Sequence, residues 1–206
     1  MKTTVVLNYF YVCILSIFLI FISDILIDKK ILIYQSFIGQ FDETRVNTIV
    51  DLYQRMQVWQ YFIIPILLLM KIFLLLIPLY LGVILKSYKV HAKQLIYIII
   101  KSQYIVVVNG FITILYFWIT KKYHTISDLS IIPFSALSLF KPNEVEPWLV
   151  YPLSILSLFE VFYWVALIIQ WKKLTGKSYG ESFDFIGSTY GLGLLLWVLV
   201  VIFFTI

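Results

Sequence analysis

The chain has 206 residues, 62% of them hydrophobic and 13% charged, with a mean hydropathy of +0.95. That apolar content exceeds the ~45–50% of soluble domains, and apolar runs of membrane-spanning length recur along the chain, which excludes the soluble enzyme classes. The formal charge of +5 comes from sixteen Lys and Arg against eleven Asp and Glu, scattered between those runs as orientation charge rather than gathered into a nucleic-acid footprint.

The first apolar run, residues 7–27, reads as a retained transmembrane helix, because no A-x-A-like cleavage site precedes Ser23 and Asp24. Cys13 lies inside it as packing or lipid-facing filler; Phe10, Tyr11 and Val12 ahead of it do not suit a lipoprotein signal. Next, Val46, Ile49, Val50, Tyr53 and Met56 recur at helical spacing, with Arg45, Asp51 and Arg55 on other faces and Asp42 or Thr44 placed to cap. This predicts an amphipathic surface helix over 44–58, seated on the membrane or on the other loop, that leads into Trp59 as an interfacial anchor. The second span is 60–85, with kinks expected at Pro65 and Pro78, and the third is 94–120. Residues 129–140 are apolar, too short to span and interrupted by Pro133, so an interfacial or re-entrant segment is expected there. Lys141, Pro142, Asn143 and Pro147 then make a turn before Trp148. The fourth span is 149–171, kinked by Pro152 near its outer end, and the fifth is 186–206. Gly187 and Gly191 in the last span have G-x-x-x-G spacing, with Ser188 and Gly193 nearby, and predict close helix packing, within the bundle in preference to between subunits.

Orientation follows from the basic residues that abut the spans. Lys86, Lys89 and Lys93 lie between spans two and three, and Lys172, Lys173 and Lys177 between four and five, so both loops are expected in the cytoplasm. Met1 and Lys2 are then inside and Ile206 outside. Loops 28–59 and 121–148 fall on the far face, where seven basic residues are diluted by Asp28, Asp42, Glu43, Asp51, Asp128, Glu144 and Glu146. The expected fold is an all-α polytopic membrane protein: one domain, 1–206, a bundle of five transmembrane helices with its N-terminus cytoplasmic and its C-terminus on the far side.

Three ionisable residues fall within spans: Lys71, Lys101 and Glu160. Each costs several kcal/mol there unless paired or hydrated, and so marks a functional position. Counted from the Lys clusters they lie about 22, 12 and 18 Å deep. Lys101 is shallow enough to snorkel, whereas Lys71 and Glu160 are level to within a turn and are expected to form a buried ion pair. Asn109 falls near the same depth and completes a polar cluster, with Ser102 and Gln103 lower on its helix. No catalytic signature is present. His91 and His124 belong to no zinc pattern and lie on opposite faces of the expected topology, there is no P-loop, G-x-S-x-G elbow or Cys-His pair, and Asp24 is at a helix end. An enzyme is not expected, nor a cofactor or a metal.

Ser135, Ala136, Leu137 and Ser138, then LSILSLFE from Leu153 to Glu160, and WKKLTG from Trp171 to Gly176 followed by Lys177 and a last apolar helix, make a recognisable cast. Over residues 94–206 the chain resembles the Yip domain family of five-span membrane proteins. The resemblance implies a cytosolic N-terminus and a C-terminus on the far side, in agreement with the charge reading. Eukaryotic members bind Rab-type GTPases through a long cytosolic N-terminal region. With about six residues ahead of the first span here, that role is not carried over.

Two functions remain. The first is a non-enzymatic, Yip-like scaffold or assembly factor in a bacterial inner membrane, the Ile- and Lys-rich composition suiting an AT-rich bacterium. Its partners would be the lipid bilayer and other membrane proteins or a second copy, not nucleic acid. The second is a permease or an accessory subunit of an export complex, with Lys71, Glu160 and Asn109 lining a path. Water separates them: a cavity that reaches Glu160 favours transport, and a dry ion pair favours scaffolding.

Overall fold

The computed structural model describes residues 2–121, 123, 125, 128–129, 131–140 and 145–205, and of Lys2 the backbone alone. His124, the turn residues Lys141, Pro142 and Asn143, Glu144, and the chain ends Met1 and Ile206 lie outside the described residues. In chain order the helices are α1 (Lys2–Leu26), α2 (Lys29–Phe37), α3 (Glu43–Leu85), α4 (Ala92–Thr120), α5 (Pro147–Ile155), α6 (Leu158–Thr175), α7 (Tyr179–Ile186) and α8 (Leu192–Thr205). A 3-10 turn covers Ala136–Leu139, and a π-helical turn, Gly187–Gly191, joins α7 to α8. The described residues hold isolated bridges but no strand.

Four helices are long and apolar enough to cross a membrane: Thr3–Leu26, Glu43–Leu85, Ala92–Thr120 and the continuous Tyr179–Thr205. Their outward faces carry side chains such as Phe62 (67% exposed) and Ile119 (70%), which water would not tolerate in such density and acyl chains cover at no cost. The chain is an all-helical integral membrane protein.

Two elements differ from their expected form. The surface helix over 44–58 and the span over 60–85 are one helix, α3, whose 43 residues extend about 64 Å, twice the thickness of a ~30 Å hydrocarbon core. Nothing between Met56 and Tyr61 is a Gly, a Pro or a cap, so the backbone has no reason to break there. Val46 and Val50 are the buried positions of its first turns, where α2 packs on it, while Leu52, Met56 and Trp59 form an exposed row on another face.

The second difference is in the stretch expected as the fourth span, which is divided into α5 and α6. α5 starts on Pro147 in its first turn, where a missing N–H costs nothing, and stops at Leu156. Ser157 is extended and caps α6, its hydroxyl accepting from the Glu160 N–H at 3.1 Å. Residues 134–136 fold back against the break: the Ala136 N–H donates to the Leu156 carbonyl at 2.7 Å and the Leu158 N–H to the Phe134 carbonyl at 3.1 Å. The expected re-entrant segment thus pairs with the interrupted backbone, which supplies the partners that lipid does not. Ser157 is fifteen residues from Lys172, about 22 Å, and so falls short of a full hydrocarbon thickness.

The densest packing lies at the end that holds the basic loops. Leu79, Leu95, Ile99, Leu167, Trp171 and Phe185 are fully buried there, Trp171 stacks on Phe185 at 3.8 Å between ring centroids, and the Tyr88 ring meets both edge-on. The Gly82 Cα faces Thr189 so closely that any Cβ would overlap the Thr189 methyl. At the other end Asp24 ties three helices together, accepting from Lys29 of α2 and from Gln60 (3.1 Å) and Tyr61 (3.0 Å) of α3. Between these two ends a cavity opens on one side of the bundle.

Candidate functional site

The cavity, of about 750 Å³, is bounded by α3, α4, α6 and α8 and closed on one side by Ile132, Tyr151 and Ser154 of the re-entrant segment and α5. Its walls are mainly aliphatic. Lys71 from α3, Asn109 from α4 and Glu160 from α6 all line it, so the three residues that depth alone placed level do meet around one space. Pro78 also lines it; having no N–H, it leaves the Leu74 carbonyl, on the same wall, without its helical donor.

The expected ion pair is not formed. Among the described residues the ion pairs within 4 Å are Lys29–Asp24 and Lys177–Glu181. Glu160 is held otherwise: its Oε1 accepts from Trp164 Nε1 at 2.9 Å and from the Tyr190 hydroxyl at 2.6 Å. Two donors and the first-turn position in α6 stabilise the carboxylate without a cation in contact. Lys71 Nζ has no acceptor in reach among the described residues and lies 5.7 Å from the Tyr163 ring centroid. Tyr163 is itself buried and accepts at its hydroxyl from Gln103 Nε2 at 2.9 Å, while its ring lies 5.6 Å from that of Tyr190. Asn109, which lines the cavity, accepts at Oδ1 from the Thr113 hydroxyl at 3.2 Å, an intrahelical bond that does not use its amide N–H groups.

Tyr190 reaches Glu160 because of the π-helical turn. One extra residue per turn over Gly187–Gly191 shifts the phase of the last helix, a distortion often retained at functional positions. Gly191 lets the helix close on the Trp164 ring, which would meet a Cβ at 2.6 Å, and Gly193 lets it close on Pro78. The expected Gly187–Gly191 pair therefore does not act as one packing face: Gly187 borders open space, and the tight approach is made by Gly82, Gly191 and Gly193.

Lys101 lies between the rings of Tyr97 (5.9 Å) and Tyr104 (5.7 Å), away from the cavity. Ser102 bonds within its own helix to the Ile98 carbonyl. The basic loops share one end of the molecule. Lys86 donates to Ser188 at 3.0 Å and lies 5.6 Å from the Phe185 ring, Lys172 sits 3.4 Å from the Tyr179 ring centroid, and Lys177 pairs with Glu181 beside Tyr88. That carboxylate raises the Lys177 ammonium above the usual lysine range. Lys89, Lys93 and Lys173 complete the cluster in sequence. His91 is a helix start: its backbone N–H donates to Gln94 Oε1 at 2.9 Å.

Tyr163, Tyr190, Trp164 and Asp24 matter to this arrangement and carry no motif. One signal for the break was present: Ser157-Leu158-Phe159-Glu160 has the S-x-x-E form that opens helices. Comparison with known families, curated proteins and solved structures gave no match to this chain.

Proposed function

We propose that this chain is a ligand-binding subunit of a transport or export system in the bacterial cytoplasmic membrane, acting through the cavity around Lys71, Glu160 and Asn109. The observation that carries this reading is the convergence of the three residues, from three helices, on one 750 Å³ space rather than into a packed pair. That size is in the ~300–1,000 Å³ range of small-molecule sites, and an apolar wall with a few convergent polar groups is their usual chemistry. A half-helix that begins at an interrupted backbone beside the cavity, as α6 does, is a device transporters use at mid-membrane sites.

In this reading the basic loops and the N-terminus are cytoplasmic, and α5 with α6 crosses as an interrupted fifth span. Cysteines placed at Ser87 and Ser178 should both be shielded from an impermeant thiol reagent in intact cells and both label in inverted vesicles. Labelling of both in intact cells reverses the orientation, and labelling of only one removes the fifth crossing.

The cavity itself is tested by thiol chemistry, because methanethiosulfonates attack the thiolate and so report where water reaches. With Cys13 replaced by Ala, cysteines at Asn109 and Ser154 should react, and one at the fully buried Ser102 should not. If positions 109 and 154 are as inert as 102, the space is closed and the transport reading fails. A Yip-like scaffold is the second reading, supported by the row of Leu52, Met56 and Trp59 left exposed on the extension of α3, a surface able to take a partner helix.

A further inference from the structure

We propose that the cavity takes an amphipath with one acyl chain and one anionic headgroup, admitted from the bilayer between α3 and α8 and held at the headgroup by Lys71. This rests on the ligand-binding reading above and names the class of ligand.

The entrance is read from the exposure of the cavity's own wall. Leu67, Met70 and Leu74 of α3 and Leu196 and Val200 of α8 line the cavity and all five remain exposed, so the cavity is open rather than sealed along these two helices. Its edges are aliphatic and lie on the lipid-facing helices, so whatever enters comes from the acyl-chain region and is itself largely apolar.

The sign of the headgroup follows from how the two charges are satisfied. Glu160 has its partners already: two hydrogen bonds to Oε1 and the amide end of α6 behind it. Lys71 has three N–H donors and, among the described residues, no acceptor within hydrogen-bond reach; the face of Tyr163 lies 5.7 Å away, and the Glu160 carboxylate acts on it only across the cavity, without contact. Lys71 is exposed on this open, mainly aliphatic wall, where a cation is stable when an anion comes to it, and no described side chain supplies one in contact. A carboxylate or phosphate on the ligand would do so, and its alkyl chain would lie along the aliphatic wall. A cationic amphipath would meet Lys71 near the rim and be repelled, and a neutral one would leave its charge uncompensated.

The test uses the full-length protein in detergent micelles and a brominated long-chain carboxylate, which quenches nearby tryptophan. Trp197 lines the cavity and is the reporter. The carboxylate should quench saturably and at least tenfold more tightly than the brominated alcohol of equal chain length. The quenching should be lost in Trp197→Phe. The preference for carboxylate should vanish in Lys71→Met and persist in Lys71→Arg. Equal affinity for acid and alcohol in the wild-type protein overturns the headgroup assignment while leaving a cavity that binds chains. Saturable quenching that survives in Trp197→Phe puts the probe elsewhere and overturns the site. Absence of saturable binding by either probe removes this inference, and the thiol labelling of positions 109 and 154 then decides separately whether the cavity reading stands. Because the wild-type comparison of the two probes is decisive by itself, poor folding of Lys71→Met does not leave the matter open.

Discussion

Gly82→Ala should be among the most damaging single-methyl additions in the bundle, lowering stability by about 3 kcal/mol, the upper end of the usual cost of overpacking. The new Cβ would overlap Thr189 Cγ2, and Thr189 cannot swing away cheaply because its hydroxyl donates to the Phe185 carbonyl at 2.7 Å and Phe185 is stacked on Trp171. Thr189→Ser removes only the obstructing methyl and keeps that hydrogen bond. The double variant should therefore recover most of the loss, read as the thermal midpoint of the purified protein in detergent. Gly187→Ala is the control, since a Cβ there meets nothing within 4 Å, and it should change the midpoint little. Comparable losses at Gly82 and Gly187, with no recovery on Thr189→Ser, would restore the G-x-x-x-G face as the packing device.

Glu160→Leu is the second large effect, with an expected loss of about 2–4 kcal/mol. It strips the acceptor from two donors, the Trp164 indole N–H and the Tyr190 hydroxyl, and each unsatisfied buried group costs about 1–3 kcal/mol. Glu160→Gln keeps a carbonyl oxygen in place and should cost under about 1 kcal/mol, close to the ~0.6 kcal/mol typical of interhelical hydrogen bonds in membranes. Lys71→Met should be nearly neutral, because it breaks no hydrogen bond or ion pair and only a distant approach to the Tyr163 ring, and adding it to Glu160→Leu should rescue nothing. A paired charge behaves in the opposite way: each single change is costly and the double change is mild. Substantial rescue in the Lys71→Met, Glu160→Leu double variant would mean that the two charges do meet in the bilayer.

Much of this was legible in the residues and some was not, for identifiable reasons. Hydropathy located the long helices because membrane burial acts on whole runs of about 20 residues, and the basic loops pointed to one shared end. Counting residues brought Lys71, Asn109 and Glu160 to one level because the helical rise is constant. It could not tell whether they touch, since that depends on rotation about each helix axis. Phase within the last helix was hidden for a related reason: the π-helical turn changes which residues share a face, so Tyr190 meets Glu160 and Gly187 loses the neighbour its spacing promised. Tyr163 and Tyr190 are two among fifteen tyrosines and nothing in their spacing singles them out. The division at Ser157 is the instructive case. Hydropathy runs straight through it, whereas the S-x-x-E capping pattern marks it, so in an apolar run the polar punctuation is the more informative signal.

The bridge between residues 134–136 and 156–158 also constrains how the protein can be made. A helix with all its backbone bonds internal can enter the bilayer by itself, but α5 and α6 cannot do so as a unit, because the chain at Leu156 and Leu158 would carry bare polar groups into oil at several kcal/mol each. The strip that satisfies them lies about twenty residues upstream and leaves the ribosome roughly 1–4 s earlier at ~5–20 residues per second. In the five-span reading proposed above, the strip and the break must therefore reach the lipid already paired. The last helix, whose Tyr190 and Gly193 close on Glu160 and Pro78, arrives afterwards. The order of synthesis thus builds the wall and roof of the cavity before the helix that completes it.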